Sequence, residues 1–350
     1  MKIAVMISNM GGPDSLAAVE PYLTNIFTDP DIIDIPLPTV LRKPFARWLA
    51  QKRGPESREI YHQIGGKTPL LAITQQQATA LEARLNATGL AQFKVFPAMR
   101  YWHPLTEDVW QAILAEGFDK LVVLTLYPFF SSTTTGSLLR LVARLNAKGA
   151  FQPDDLWIID RFGNHPAFIK AMATQINSWL GDDPDQSLPY LDLLLSAHSI
   201  PMRRIKHGDP YRDEIEQAVA ALQAQLPPTL RVHLAYQSKI GPVQWLSPAT
   251  PAKISELAAK GVKNLLVYPL GFVADNSETL YEIGMLYKTQ AQQQGIENFV
   301  RIDALNTDGL FIEALQTIIL EKYAAMQPHH NASRQESDNE LGNKRMVASH

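Results

Sequence analysis

The sequence predicts an α/β protein built on parallel β-sheets. Eight short apolar runs have the length of strands buried on both faces of a parallel sheet, and they alternate with helical segments. Apart from a long insertion after the first run, successive runs start about 30 residues apart, the size of a βαβ unit. The runs lie at residues 3–7, 93–98, 121–126, 156–160, 191–196, 231–236, 265–270 and 300–304. We therefore expect two Rossmann-like domains, each a four-stranded parallel sheet flanked by helices.

The repeat divides the chain into two halves. Four predicted strands precede the turn-forming segment Gly181-Asp182-Asp183-Pro184, and four lie beyond it. We place the first domain at residues 1–180 and the second at residues 181–327. Residues 328–350 are polar, lack aromatic side chains and show no periodicity, so we expect a disordered tail there.

The composition indicates a soluble globular protein. The 350 residues are 46% hydrophobic and carry a formal net charge of −3, which gives no general affinity for nucleic acid. The chain has no cysteine, so disulfides, thiolate metal sites and a cysteine-ligated iron–sulfur cluster are excluded. No stretch approaches the roughly 18 uninterrupted apolar residues of a membrane span. The start MKIAVMISNMGGPD lacks a signal-type cleavage site and indicates a buried strand, so we expect a cytoplasmic protein.

Two strand exits carry the side chains with the clearest chemical potential. His198 ends one apolar run among small residues, and Glu278 opens a helix after the exit loop of another. In an open α/β sheet, ligands bind outside the carboxyl ends of the strands, where this base and this carboxylate would face each other. The structural alternatives are a hydrogen-bonded strand-end histidine and a first-turn carboxylate favoured by the helix dipole, with Ser277 or Asp275 as the helix cap.

Further candidates lie at other strand exits. Arg100 follows the second strand, and its fork of donors suits a carboxylate ligand. Tyr101 beside it offers an aromatic face. Lys239 follows the sixth strand and is either a charge in the cleft or a solvated surface group.

At these positions the sequence resembles the ferrochelatase family. His198 lies in SAHSIPMRRIKHGDPY and Glu278 in FVADNSETLYEI, and both segments are similar to the active-site signatures of that family. The resemblance extends, in the family's order, through other segments: SNMGGPDS, YHQIGGKTPL, AMRYWHP, LYPFFSSTTTGS and YQSKIGPVQWLSP. It covers about residues 1–325.

The resemblance implies an enzyme that inserts Fe²⁺ into protoporphyrin IX in haem biosynthesis. His198 and Glu278 match the family's catalytic pair and are candidate ligands of the incoming metal. Met10, Trp245 and Phe272 would contact the porphyrin ring, together with Arg100, Tyr101 and Lys239 as substrate-binding residues. Fe²⁺ is then a substrate, and we expect no permanently bound cofactor and no iron–sulfur cluster.

Two features add to the resemblance or depart from it. Asn276 stands where many relatives have histidine, and an amide cannot shuttle protons. FARWLAQKR, residues 45–53, predicts an amphipathic helix that is similar to the family's lip over the porphyrin cleft, although it could simply pack on its own domain. A peripheral contact with a membrane remains a possibility from the sequence. We expect the protein to be a monomer.

Three other functions remain open from the sequence. Coproporphyrin III is the nearest competing substrate, because one arginine does not reveal how many propionates are bound. A chelatase for another tetrapyrrole or metal, such as cobalt, is a second alternative. The third is a two-lobed protein that binds haem without chemistry, for which the pairing of His198 with Glu278 would be unnecessary.

Overall fold

The computed structural model describes residues 1–32, 38–180, 192–239, 241 and 243–326. The predicted domain boundary near residues 181–184 and the predicted tail at residues 328–350 lie outside this part of the chain. The described strands are β1 (Lys2–Asn9), β2 (Gln92–Met99), β3 (Lys120–Thr125), β4 (Leu156–Ile159), β5 (Asp192–His198), β6 (Arg231–Gln237), β7 (Asn264–Tyr268) and β8 (Asn298–Arg301).

Helices connect these strands, as a βαβ repeat requires. The described α-helices are α1 (Val19–Thr28), α2 (Thr39–Gln63), α3 (Leu70–Asn86), α4 (Thr106–Glu116), α5 (Thr135–Leu145), α6 (Pro166–Leu180), α7 (Met202–Lys206), α8 (Tyr211–Gln223), α9 (Thr250–Ala259), α10 (Lys288–Gln293) and α11 (Gly309–Ala325). A short 3₁₀ turn, Leu16–Ala18, precedes α1, and a π-helix, Glu278–Tyr287, precedes α10.

Both sheets are parallel and share one strand order. The first sheet has the order β2-β1-β3-β4 and the second has the order β6-β5-β7-β8. The predicted fold class is therefore confirmed. In each sheet the two central strands send their connections in opposite directions, which creates the topological switch point where a ligand crevice opens. Those central pairs are β1 with β3 and β5 with β7.

β5 continues two residues beyond the predicted run. The run was expected to end at Ser196, but Ala197 and His198 pair in register with the last two residues of β6. His198 is therefore the final residue of a central strand. This position fixes its backbone firmly while its side chain reaches the carboxyl edge of the sheet.

Helix α2 is longer than the predicted segment at residues 45–53. It continues through Pro44 and Pro55, although proline is generally unfavourable inside a helix. The close packing of α2 on α1 accounts for this. A Cβ atom at Gly54 would lie only 2.8 Å from Cγ of Glu20 on α1, so the absence of a side chain at Gly54 permits the two helices to meet.

The two halves share one continuous hydrophobic core. The largest cluster of buried apolar side chains contains members of both sheets, for example Val5 of β1 and Leu195 of β5. Helix α11 of the second half packs on α3 and α6 of the first. Aromatic contacts continue the junction, since Phe129 after β3 packs edge-on against Tyr211 at the start of α8. This contact holds the loop after β3 against the start of α8 in the second half.

Candidate active site

Charged and polar side chains also fix the two halves at the cleft. The carboxylate of Asp209, just before α8, accepts hydrogen bonds from the backbone N–H of Ser132 at 2.7 Å and from the Ser131 hydroxyl at 3.1 Å. Glu214 on α8 accepts from the backbone N–H of Phe130 at 2.8 Å and pairs with Arg161 at 2.5 Å. The exit loops of β3 and β4 are thus tied to the second half.

The side chain of His198 is oriented by its own neighbour. Its Nδ1 atom lies 2.7 Å from the carbonyl oxygen of Ser199, which can only accept a hydrogen bond. Nδ1 therefore carries the proton in the neutral ring, and the lone pair is on Nε2. The imidazole is partly buried, and its centroid lies 6.4 Å from the ring of Phe272. A free Nε2 lone pair in this setting can accept a proton or bind a metal ion.

Glu278 begins the π-helix that follows β7. Its Oε2 atom accepts a hydrogen bond from the Ser277 hydroxyl at 2.9 Å. Ser277 occupies the N-cap position, as expected, but its side chain forms no capping hydrogen bond. The side chain of Asn276 supplies one, because its Oδ1 accepts from the backbone N–H of Thr279 at 3.1 Å while its own N–H donates to the Thr279 hydroxyl at 3.0 Å. The Asn276 amide thus caps the first turn of the π-helix.

A second carboxylate, Glu282, lies one turn further along the π-helix. It accepts hydrogen bonds from the hydroxyls of Ser238 at 2.7 Å and Tyr287 at 3.1 Å. Burial and then the negative charge of Glu278 raise its pKa, whereas His198 acts in the opposite direction. The raised pKa favours the protonated form of the Glu282 carboxyl relative to an exposed glutamate.

Sequence reasoning missed Glu282, although a signal was present. It follows Glu278 by four residues, a spacing that places two side chains on one face of a helix. Its burial depends on the end of β6, from which Gln237 Nε2 donates to the Glu278 carbonyl at 3.1 Å and approaches Glu282 at 3.4 Å. That tertiary contact is not legible in the sequence.

Three tyrosines of the first half lie close enough to Glu278 to respond to its charge. Burial and then the charge of Glu278 raise the pKa of Tyr61, and burial also raises the pKa of Tyr22 and of Tyr127 with a smaller contribution from Glu278. The Tyr61 hydroxyl lies 3.5 Å from the Ser277 hydroxyl across the cleft. These phenols therefore stay protonated and present neutral donors to the carboxylate side.

Arg100 and Tyr101 are engaged within the first half. The Arg100 guanidinium pairs with Asp29 at 2.9 Å and donates to the Ser137 hydroxyl at 3.0 Å. The Tyr101 hydroxyl also donates to Asp29, at 2.7 Å, and the side chain is buried. Burial opposes ionisation of Asp29, but the hydrogen bonds from Ser137 and Tyr101 and the charge of Arg100 prevail and lower its pKa. The role of Arg100 and Tyr101 in substrate binding stays a prediction.

The remaining predicted substrate contacts are distributed around the cleft. Met10 follows β1 and packs on the cluster of Tyr22 and Tyr101. The half-buried Trp245 forms an antiparallel bridge with Pro201, three residues after His198. Lys239 is exposed. The structure thus brings His198 together with Phe272 and places Trp245 close by in the chain trace, while Lys239 faces solvent.

The described part of the chain offers neither a ready metal cage nor a membrane span. Within residues 1–32, 38–180, 192–239, 241 and 243–326, no group of three or more His, Cys, Asp or Glu side chains forms a ready metal cage. None of the helices in these ranges has both the length and the apolar character needed to cross a bilayer.

The architecture defines a protein with a chelatase-like fold. Among solved structures the chain is similar to SirB from Bacillus subtilis with Fe³⁺, with a TM-score of 0.52 and 13% identity over 92% of this chain and 96% of that one. It is also similar to the sirohydrochlorin chelatase SirB from Bacillus subtilis subspecies spizizenii in complex with cobalt, at a TM-score of 0.50 and 13% identity, with 92% and 95% of the two chains covered. At such identities the likeness concerns the fold alone.

The sequence itself gives the particular family. A family model described as Ferrochelatase matches residues 2–323. A ferrochelatase of Geotalea daltonii is 42% identical over 320 residues, which are 91% of this chain and 97% of that protein. A ferrochelatase of Aquifex aeolicus is 41% identical over 321 residues, covering 91% and 99%. The chain belongs to the ferrochelatase family, whose enzymes are lyases that insert Fe²⁺ into a porphyrin.

Proposed function

We propose that this enzyme inserts Fe²⁺ into protoporphyrin IX. His198 accepts one porphyrin proton, and the carboxylates of Glu278 and Glu282 accept the other and hold the metal. The observation that carries the proposal is the orientation of His198. The carbonyl of Ser199 holds the proton on Nδ1, so Nε2 is left as a base beside two carboxylates at the switch point of the second sheet.

The chemistry requires two N–H protons to leave the porphyrin as two nitrogen–metal bonds form. His198 Nε2 accepts one proton. The carboxylate pair accepts the other, because burial and the charge of Glu278 raise the pKa of Glu282 and so favour its protonated form. Carboxylates also suit Fe²⁺ as oxygen ligands, so the same pair can hold the metal before it enters the ring. In this proposal Fe²⁺ is a substrate, and the enzyme needs no permanently bound cofactor.

The ring itself would be held mainly by apolar contact. The ring of Phe272 lies near that of His198, and Trp245 pairs with Pro201 on the neighbouring segment. Met10 is the first residue after β1. Aromatic and thioether side chains can pack against a macrocycle without competing for its metal. The neutral tyrosines of the first half limit the charge repulsion that ionised phenols would bring.

The substrate can be tested directly with purified enzyme. We expect iron insertion into protoporphyrin IX to be faster than into coproporphyrin III, and Fe²⁺ to be used in preference to Co²⁺. Glu278→Gln and Glu282→Gln keep the side-chain shape and remove the charge, so each should slow insertion while porphyrin binding persists. A faster reaction with coproporphyrin III would overturn the substrate assignment while leaving the residue roles intact.

The proposal includes a monomer, because every group named above comes from one chain. It also includes a cytoplasmic location. Sedimentation of the purified enzyme at assay concentration tests the oligomeric state, and fractionation of cells tests the location. A dimer that dissociates with loss of activity would contradict the monomer.

We further propose that helix α2 touches an anionic membrane surface. One face of α2 buries Ala46 and Ala50, and the other leaves three large apolar side chains exposed, namely Val40 (81%), Leu41 (52%) and Trp48 (55%). Exposed cations flank this apolar face: Lys43, Arg47 and Lys52. An apolar stripe with basic flanks is typical of helices that lie in the headgroup region of anionic bilayers.

The membrane proposal has a matched control in the same chain. Trp48→Ser should weaken binding to vesicles of phosphatidylcholine with phosphatidylglycerol, whereas Trp179→Ser, which changes an equally exposed tryptophan (45%), should not. Binding should also fall when salt is raised, because part of the attraction is electrostatic. Equal loss for both variants, or no binding by the parent enzyme, would contradict the proposal.

A further inference from the structure

We propose that Gln77 in the first half is a positioning residue for Glu278 in the second half, acting through Asn306 and Asp275. The inference rests on the proposed role of Glu278. Gln77 lies on α3 and is fully buried, at 0% exposure. Its Nε2 atom donates to the carbonyl oxygens of Val273 at 2.9 Å and of Asn306 at 2.8 Å. These carbonyls belong to the loops after β7 and after β8.

The amide of Gln77 is oriented by those two carbonyls. Carbonyl oxygens only accept, so the NH₂ group must face them. The other amide atom, Oε1, is buried and has no hydrogen-bond partner in the described part of the chain. A buried unpaired acceptor is costly, and an apolar side chain would avoid that cost. The polar side chain at this position therefore contributes through its hydrogen bonds to the two loops.

The second link is Asn306, where the two loops meet. Its backbone adopts a left-handed conformation with φ of +47°, and its side chain binds Asp275. Asn306 Nδ2 donates to Asp275 Oδ2 at 2.8 Å, and Oδ1 accepts from the backbone N–H of Asp275 at 2.9 Å. The Asn306 N–H also donates to the Val273 carbonyl at 3.1 Å. Gln77 thus clamps both loops at their contact.

The third link reaches the π-helix. Asp275 Oδ1 accepts hydrogen bonds from the Thr279 hydroxyl at 2.6 Å and from Arg301 Nη1 at 2.7 Å. Thr279 is the residue next to Glu278, and it also forms the cap with Asn276. The first turn of the π-helix is therefore held by a chain of buried hydrogen bonds that begins on the opposite half. A misplacement of about 1 Å at a reacting group can cost up to about 10²-fold in rate.

Gln77→Met tests the first link because it keeps the side-chain length and removes the donors. We expect kcat for iron insertion to fall about tenfold, within the range for a misplaced group. Porphyrin affinity, measured by fluorescence quenching, should change by less than about twofold, because ground-state ring contacts are untouched. Gln76→Met is the matched control. It alters an exposed glutamine one residue away on α3, and it should leave both quantities unchanged.

Asn306→Gly tests the second link and keeps the inference testable if Gln77→Met does not fold. Glycine retains the left-handed backbone and loses only the bonds to Asp275. Its kcat should fall with porphyrin affinity retained, and the double variant should be little worse than the poorer single one, since the residues act as a unit. Parent-like kcat in the folded single variants, or parallel losses of kcat and porphyrin binding, would overturn the inference.

A parallel measurement on Glu278→Gln separates this inference from the proposed function. If Glu278→Gln inserts iron at the parent rate, the proposed role of Glu278 is wrong. If Glu278→Gln is slow while both Gln77→Met and Asn306→Gly match the parent, the proposed role stands and the positioning chain is overturned.

Discussion

Replacing His198 by alanine should separate folding from catalysis. Within the described part of the chain, the imidazole forms a 2.7 Å hydrogen bond to the Ser199 carbonyl and a ring contact with Phe272 at 6.4 Å. Loss of one such hydrogen bond costs about 0.5–1.5 kcal/mol of folding free energy. At about 2–4 °C per kcal/mol for proteins of 150–250 residues, the melting temperature should fall by only a few degrees.

The expected effect of His198→Ala on catalysis is larger. Removing a general acid–base group slows a reaction by about 10²–10⁴-fold, which corresponds to about 3–5 kcal/mol of activation free energy. The change in barrier therefore exceeds the change in stability roughly threefold on these figures. Porphyrin binding should persist, because the proposed ring contacts come from apolar side chains.

The assay measures porphyrin binding by fluorescence and then haem formation by absorbance on the same preparation. His207→Ala is a matched control, because the His207 ring also places Nδ1 2.7 Å from a backbone carbonyl, that of Arg203, but on the exposed end of α7. The control should keep the parent rate. A folded His198→Ala enzyme that binds porphyrin and inserts iron at the parent rate would refute the reasoning and leave His198 as a structural residue.

Three further outcomes are expected. Asn276→His should fold but lose about 1 kcal/mol of stability, because it breaks the capping pair with Thr279, whereas Asn276→Asp retains the acceptor and should lose less in thermal melts. Trp245→Ala should weaken porphyrin binding by about 0.5–1.5 kcal/mol beyond lost burial; unchanged affinity beside a large drop in melting temperature would assign Trp245 to the core. Burial opposes ionisation of Asp192, but hydrogen bonds from Arg231 and from a neighbouring histidine prevail and lower its pKa. The ionised carboxylate therefore stabilises the folded protein above the unfolded-state pKa, and this stabilisation is lost as pH falls through the folded-state pKa. The parent should therefore lose melting temperature on acidification more steeply than Asp192→Asn, and parallel pH curves would contradict this.

The fold and the position of the site were accessible to sequence reasoning because both depend on local patterns. A buried parallel strand is a short apolar run, and its exit is marked by the small and polar residues that follow. His198 and Glu278 could be placed at the sheet edge on this basis. His198 ends β5 and Glu278 follows β7, the central strands of the second sheet, an order that the spacing of the runs did not itself reveal.

Interactions between distant segments were not accessible in the same way. Asp29 binds Arg100 across 71 residues of sequence, so an arginine that looked available for a substrate carboxylate proved to be paired. Gln77 occupies an unremarkable position in a helical pattern, and only the tertiary structure shows its bonds to the loop at Val273. Glu282 was marked by its spacing from Glu278, but its burial depends on β6.

The shared core has a mechanical consequence for how substrate enters. Two-lobed binding proteins close around ligands by bending at a few hinge residues, which requires that little else connects the lobes. Here α11 packs on α3 and α6 of the other half, and the largest apolar cluster contains side chains from both sheets. Swinging the halves apart would expose that cluster to water. We therefore expect the walls of the cleft to keep their separation during turnover, so that the flat macrocycle slides in at the rim and adapts to the cleft.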